Sequence, residues 1–467
     1  MPSRQDQLHS YQYSLQRVVA ALVTHDPDPS RSPLRRAGTT ALVSLLIASL
    51  AVVGATIYGV LTGQSSANPK DTKVVFQEKG TGARFVFLQS DRSLHPVLNY
   101  TSGLLLTDSD TPELQSISSA KLATVDLGAT LGIPGAPDSL PAKDSLLTER
   151  WSVCTDNRGE ENPARSILLI GDKLTDGTVA AKSGEALLIR DQSGRVWLVS
   201  GNKRFHIPSE RLIATLSVLD WASKDPWPVS DAFENAIPVG NELTAPALPA
   251  DRGADSVLAG FQVGDLVTDS RNQFGMILAD GMADITPMQA KLLQAVPGVD
   301  VPRAIANKFG QLHRSATKIT DVGKPNALPY DVPKLHEGTP ASACMTLPVD
   351  PKAGDGLRID PTVPTGATKV TPGADTPGSV EIADFVHIAR GKGVLASLSP
   401  SPGAPADSST VVLITDTGRG FPLANRSLIT KLGYAGAKIP QIPSQLVSMV
   451  PRGPSLDPAV ARRAGAQ

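Results

Sequence analysis

From Ala37 to Leu61 the chain reads AGTTALVSLLIASLAVVGATIYGVL, twenty-five residues without a charge. At about 1.5 Å per residue, a helix of that length reaches past a bilayer hydrocarbon core of about 30 Å. A buried soluble helix so long would normally carry a polar face, and this run has none. It predicts one transmembrane helix. Arg31, Arg35 and Arg36 crowd its N-terminal side, whereas the first basic residues beyond it are Lys70 and Lys73, after the neutral stretch Thr62–Pro69. Basic residues are retained on the cytoplasmic face, so the N-terminus is expected inside and the bulk of the chain outside. A cleaved signal peptide is the competing possibility, with Ser65-Ser66-Ala67 as its small-residue cleavage site. The apolar run is too long for a signal core and 36 residues precede it, which favours an uncleaved anchor.

The segment before the span has a pattern of its own. Leu8, Tyr11, Leu15, Val18 and Leu22 alternate at spacings of three and four, the seam of a helix that packs on another. Ser3 and Asp6 fit a capping box at its start. His25-Asp26-Pro27 ends it, because proline disfavours helical geometry in the residue before it. A lone helix of this length is marginal in water, so the seam calls for a partner chain, a second copy or the membrane surface. Only Arg4 and Arg17 are basic within it, which favours a protein partner over lipid.

The 467 residues suffice for several domains. Lys plus Arg (44) nearly cancels Asp plus Glu (45), so no global field draws the chain to nucleic acid. Only 4% of residues are aromatic while Gly is 40 and Pro 39, which points to turns and short strands rather than a helical bundle. The two cysteines, Cys154 and Cys344, both follow the span. On an oxidising side the simplest arrangement is one disulfide closing a loop of about 190 residues, worth at most roughly 5 kcal/mol by chain entropy. Two buried free thiols are the alternative.

Four segments share a plan of strand, turn, strand and helix: Arg84–Leu106, Ala186–Leu216, Asp265–Val296 and Val411–Tyr434. Asp191 to Gly194 and Asp416-Thr417-Gly418 each sit between apolar runs and predict hairpin turns. Pro208-Ser209, Thr286-Pro287 and Asn425 then open apolar-periodic helices. One hairpin and one helix cannot bury enough surface alone, so the units must pack on each other or on a shared core. Cys154 lies between the first two and Cys344 between the last two, which divides the chain into two halves of unit, core segment and unit. Pro348–Gly378 is expected to be a Pro/Gly-rich loop, and the tail after Arg452 a surface segment.

Motifs for catalysis are lacking. Gly323-Lys324 and Gly391-Lys392 have neither the upstream glycine nor the following Ser or Thr of a phosphate loop. No G-x-S-x-G elbow or H-E-x-x-H occurs, and the seven histidines are not spaced for a metal. No cofactor, metal or catalytic residue is therefore predicted. One cluster stands out: Arg195, Trp197, Lys203, Arg204, Phe205 and His206 in a single hairpin. It could bind a sugar, lipid head group or phosphate. Alternation instead favours Trp197 and Phe205 facing a core, with the charges on a wet face.

Several strings of residues together resemble the EccB family, the single-span component of the type VII (ESX) secretion machines of actinobacteria. They are Ala21-Leu22-Val23 with the Arg-flanked span, LGIPGAPDSLP at Leu131–Pro141, Trp151-Ser152-Val153-Cys154, Ile285-Thr286-Pro287, Asp416-Thr417-Gly418, Leu432-Gly433-Tyr434 and PRGPSLD at Pro451–Asp457. The resemblance runs from end to end. It implies an α+β protein with one transmembrane helix and an elongated exported domain, in which four small hairpin/helix repeat units surround a central β-rich core with pseudo-two-fold symmetry. It implies a Cys154–Cys344 disulfide in that core, and repeat units like a cell-wall-binding phage endolysin subunit. The implied partners are the FtsK/SpoIIIE-type motor ATPase EccC, EccD, EccE and the mycosin protease, with self-association in a larger ring. The implied role is structural, in the inner membrane. A periplasmic nucleotide hydrolase and a peptidoglycan-binding module are the alternatives, the first because ATPase activity has been suggested for some members. The expected boundaries are a cytoplasmic segment 1–36, span 37–62, linker 63–73, units at 74–122, 185–255, 256–310 and 386–440, core halves at 123–184 and 311–385, and a tail 441–467.

Overall fold

The computed structural model describes residues 3–25, 33–61, 67–156, 164–269, 271–347, 356–364, 366–370, 382–399 and 409–463. They form two compact units, Met1–Pro96 with Glu113–Ala129, and Val97–Pro112 with Thr130–Gln467. The class is mixed α and β, with one long apolar helix near the N-terminus and several small sheets.

The first unit opens with the helix Arg4–Thr24, followed by the helix Pro33–Leu61. The second helix starts four residues before the uncharged run. Proline suits a first helical position, since its missing N–H would have no partner there, and Arg35 and Arg36 thereby join the first turn. Gly38–Tyr58 is its membrane-length part, 21 residues or about 31 Å. Arg31, Asp26-Pro27 and Ser65-Ser66 lie outside the described residues. The unit then folds a four-stranded sheet in the order Ser93–Pro96, Arg84–Leu88, Val74–Glu78, Glu113–Ile117. The first three strands pair antiparallel and the last runs parallel to Val74–Glu78. Phe76, Phe87, Leu94, Ile117 and Leu122 fill one face.

Three sheets of the second unit have the same order. Strands Glu185–Arg190, Val196–Ser200 and Lys203–Ile207 form a meander, and Trp227–Pro228 returns parallel to the first of them. Leu266–Thr268, Phe274–Leu278, Gly281–Ile285 and Arg303–Ala304 do likewise, as do Gly393–Ser399, Val411–Thr415, Gly420–Pro422 and Gln441–Pro443. A helix precedes each fourth strand, and a proline (Pro112, Pro226, Pro302, Pro440) stands immediately before it in all four sheets. The plan of strand, turn, strand and helix thus needs a third and a fourth strand. The segments at Arg84 and Val411 begin on the second strand, and those at Ala186 and Asp265 at the first.

The outer edge of each third strand is bridged in the same way. One residue donates to and accepts from a returning segment: Leu94 with Asp126 and Gly128, Arg204 with Pro238 and Gly240, Met282 with His313 and Ser315, Gly420 with Pro451 and Gly453. In three of these sheets the returning glycine lies under a ring. A Cβ on Gly128, Gly240 or Gly453 would sit 2.3 Å from His95, Phe205 or Phe421. In the remaining sheet the ring position is Ala283 and the glycine position is Ser315, a small residue traded for a small gap.

A seven-stranded sheet lies at the centre of the second unit. Its order is Thr368–Lys369, Phe385–Ile388, Arg165–Ile170, Trp151–Asp156, Ser342–Leu347, Leu357–Ile359, Thr178–Val179. Part of the expected Pro348–Gly378 loop therefore supplies sheet strands; apart from 356–364 and 366–370 it lies outside the described residues. One face presents Trp151, Val153, Leu168, Ile170, Ala343 and Met345, packed against Leu187, Ile189, Trp197, Val394, Ala396 and Ile414 of two neighbouring sheets. The sheet of Glu185–Ile207 also buries Leu188, Leu198, Phe205 and Ile207 on its other face, with Met288 and Leu292. Burial on both faces explains the unbroken apolar runs ALLI and VWLV.

The segment after Arg452 is tied down rather than lying loose on the surface. Just before it, Ile442, Leu446, Met449 and Val450 enter the central core, and within it Leu456 and Ala461 are fully buried. Arg452 and Leu456 bridge Gly420 and Leu423.

Candidate anchoring and assembly site

The N-terminal helix forms from a complete capping box. The Asp6 N–H donates to Ser3 Oγ at 3.2 Å, and the Ser3 N–H donates to Asp6 Oδ2 at 3.0 Å. His25 closes the helix in the left-handed conformation, φ 57°. Leu8, Tyr11, Leu15, Val18 and Leu22 fall along one face, and every one is at least half exposed. The helix thus presents an apolar stripe immediately ahead of the membrane-length helix.

Cys154 and Cys344 lie directly opposite each other on the adjacent strands Trp151–Asp156 and Ser342–Leu347, and are joined as a disulfide. They sit on the face of the central sheet away from the large core, beside Ile167, Leu169 and Leu174 and under Val363, Ala367 and Phe385. The neighbouring pair on the same face, Ser152 and Thr346, shares a hydroxyl hydrogen bond of 2.8 Å. Strand alternation separates this stapled, partly polar face from the apolar one.

The basic aromatic hairpin is a packing site. Trp197 and Phe205 are buried, as alternation suggested. Arg204 is not on a wet face. It points to the central-sheet side, where its guanidinium lies 4.7 Å from the Trp197 ring centre and pairs with Glu234 of the helix Asp231–Ala236. Burial pushes the Arg204 guanidinium down to about 10, which leaves it charged at neutral pH. Arg195 lies over Trp197 at 5.5 Å, and His206 meets that ring at 4.9 Å. Spacing could not reveal the Arg204–Glu234 pair, because its members lie on separate elements 30 residues apart.

Asp191 organises the adjacent turn. Its carboxylate accepts from Ser193 Oγ at 2.7 Å, the Arg195 N–H at 2.9 Å, Arg195 Nε at 2.7 Å and Trp197 Nε1 at 3.2 Å. Burial alone would raise this carboxyl, but the bonds from Ser193, Trp197 and Arg195 outweigh it and hold it below the usual range. A depressed native pKa means that the stabilisation is complete above the unfolded value of about 3.9 and fades as pH falls through the native one. Asp191→Asn is therefore expected to lower stability at neutral pH. The gap to the parent should shrink below about pH 4 in denaturant titrations run across pH.

Three of the strings that carry the family resemblance, Leu131–Pro141, Leu432–Tyr434 and Pro451–Asp457, meet around one helix. Asn99 caps the helix Tyr100–Leu106 by accepting from the Ser102 N–H at 2.9 Å, and its Nδ2 donates to the Ile133 carbonyl at 2.8 Å. The Ile133 N–H donates to Ser102 Oγ, and the Tyr100 N–H to Asp138 Oδ1. LGIPGAPDSLP is thus wrapped around a helix start. Gly132 needs its φ of +137° there, with Ser102 and Leu98 about 3 Å from where a Cβ would stand. The string ends at Pro141, whose carbonyl accepts from the buried Tyr434 hydroxyl at 2.9 Å. Asp457 caps the helix Pro458–Ala461, which packs on Tyr100–Leu106. Among the described residues no cluster of His, Cys, Asp or Glu is arranged to hold a metal. A cleft of about 640 Å³, mainly polar, is lined by Arg252, Asp265 and Arg303.

A membrane-length helix followed by several small sheets and a disulfide-closed central sheet defines a membrane-anchored protein. The chain belongs to the EccB family, described as Type VII secretion system ESX-1, transport TM domain B, whose model matches residues 1–466. It is 25% identical to the ESX-3 secretion system ATPase EccB3 of Mycolicibacterium smegmatis, over 96% of this chain and 88% of that one. It is also 25% identical to the ESX-1 secretion system ATPase EccB1 of Mycobacterium tuberculosis H37Rv, over 96% and 92%. Among solved structures, its fold matches a chain of an intact ESX-5 inner membrane complex with TM-score 0.66 and 21% identity, over 100% of this chain and 96% of that one. It likewise matches the EccB3 dimer from the ESX-3 core complex with TM-score 0.63 and 22% identity, over 84% and 100%.

Proposed function

We propose that this chain is a structural component of a type VII secretion membrane complex, anchored by one span with its N-terminus in the cytoplasm. The observation that carries this is a family match over residues 1–466, which takes in the seam helix, the apolar helix and the whole β-rich domain. The arginines before the span and the neutral stretch after it support the orientation. The exposed seam of Leu8, Tyr11, Leu15, Val18 and Leu22 then faces partners on the cytoplasmic side. The common strand order, the proline before each fourth strand and the shared edge bridge support four copies of one repeat unit. The antiparallel pair of core strands through Cys154 and Cys344 supports a pseudo-two-fold between the two halves.

Gentle solubilisation of the tagged chain is expected to bring down the motor ATPase EccC with EccD, EccE and mycosin. Their absence would overturn the assembly role. A reporter fused at Gln467 should be active only in the exported compartment. The relatives' names include ATPase, and nucleotide turnover by the purified chain tests that reading. We place no residue in such a reaction, since the sequence offers no phosphate cradle. Retention on insoluble peptidoglycan tests cell-wall binding.

A further inference from the structure

Sheet edges are a liability, because a row of unpaired N–H and C=O groups invites another strand. The four like-ordered sheets do not treat this edge alike. Three close with parallel strands of two or three residues, and two of those contain a proline: Trp227–Pro228, Arg303–Ala304 and Gln441–Pro443. The first closes with Glu113–Ile117, five residues without proline, lysine or bulge. No described strand pairs with its outer side. Glu113 and Ser116 are exposed, and Leu114 is 44% exposed.

The ladder shows which groups are free. The Lys79 N–H donates to the Ile117 carbonyl, so Glu113, Gln115 and Ile117 direct their backbone groups inward to Val74–Glu78. The N–H and C=O groups of Leu114 and Ser116 point outward. An antiparallel copy of the same edge matches them. With Gln115 opposite its own copy, Leu114 faces Ser116 and Ser116 faces Leu114, both as hydrogen-bonded pairs. Glu113 then faces Ile117 and not another carboxylate, so no like charges meet. The register is self-complementary, as a two-fold interface requires. Only 12 residues separate Leu61 from Val74, so two anchored copies hold their first sheets within reach of one another.

We propose that Glu113–Ile117 is a self-association edge, pairing antiparallel with the same strand of a second copy about Gln115. This rests on the membrane-anchored assembly role above and adds a specific contact to it.

The test uses the full chain in its membrane. Since Cys154 and Cys344 are bonded to each other, Gln115→Cys introduces the sole free thiol. Opposed residues at a pair without direct hydrogen bonds have Cβ atoms about 4.5–5.5 Å apart, within reach of mild oxidation. A cross-linked species of twice the chain's mass is expected. Adding Ser116→Pro should cut its yield about tenfold or more, because proline removes an outward N–H from each copy and spares the inward ladder. Monomer alone, with the Cys154–Cys344 bond intact to show a folded domain, would overturn the proposal. So would a cross-link insensitive to Ser116→Pro, or an adduct with a different protein. Loss of the cross-link while the larger complex still co-purifies would sink the edge and leave the assembly role standing.

Discussion

Arg204→Met is expected to destabilise the folded domain by about 3–5 kcal/mol. Glu234 is 1% exposed and Arg204 8%, so neither charge has water to fall back on. Among the described residues the Glu234 oxygens accept no other hydrogen bond, so Arg204 is their counter-group. Removing the cation leaves an uncompensated carboxylate beneath the second sheet. Removing both charges is different. Arg204→Met with Glu234→Leu should recover most of the loss, because the desolvation of two ions disappears together with their attraction. Denaturant midpoints of parent, two single variants and the double variant close the cycle. A double variant as unstable as the worse single one would show that packing around Trp197, and not charge, governs the site.

Cys154→Ser with Cys344→Ser is expected to cost about 2–5 kcal/mol. The bond joins residues 190 apart, so its removal frees a long loop in the unfolded chain. Both positions are fully buried in the smaller core of the central sheet, which limits how far a hydroxyl can be hydrated there. Non-reducing peptide mapping of the parent should return one linked pair, and thermal melting with and without reductant gives the magnitude. Equal melting points would show that the cross-strand ladder alone holds the two halves.

The anchor was legible because its signal is local: an uncharged run long enough to cross a bilayer needs no tertiary information. The capping box at Ser3 and Asp6 and the turn at Asp191 were legible for the same reason, each resting on residues within a few positions. Strand membership was harder. Gly420–Pro422 and Trp227–Pro228 are too short to show alternation, and Glu185–Arg190 is covered on both faces, which erases the period of two. Arg204 was misplaced because alternation gives the side of a sheet but not whether that side is wet. The tail after Arg452 looked loose from its Pro and Ala content, yet Leu456 supplies a buried anchor and Gly453 lies under Phe421. Pairings between residues hundreds of positions apart leave no local trace.

The helix Tyr100–Leu106 is seated against Pro458–Ala461, segments separated by some 350 residues. In a chain made from its N-terminus, this contact can form only after nearly all of the domain between the two helices has been produced. Seating of the first helix and production of the far one thus become a single late event.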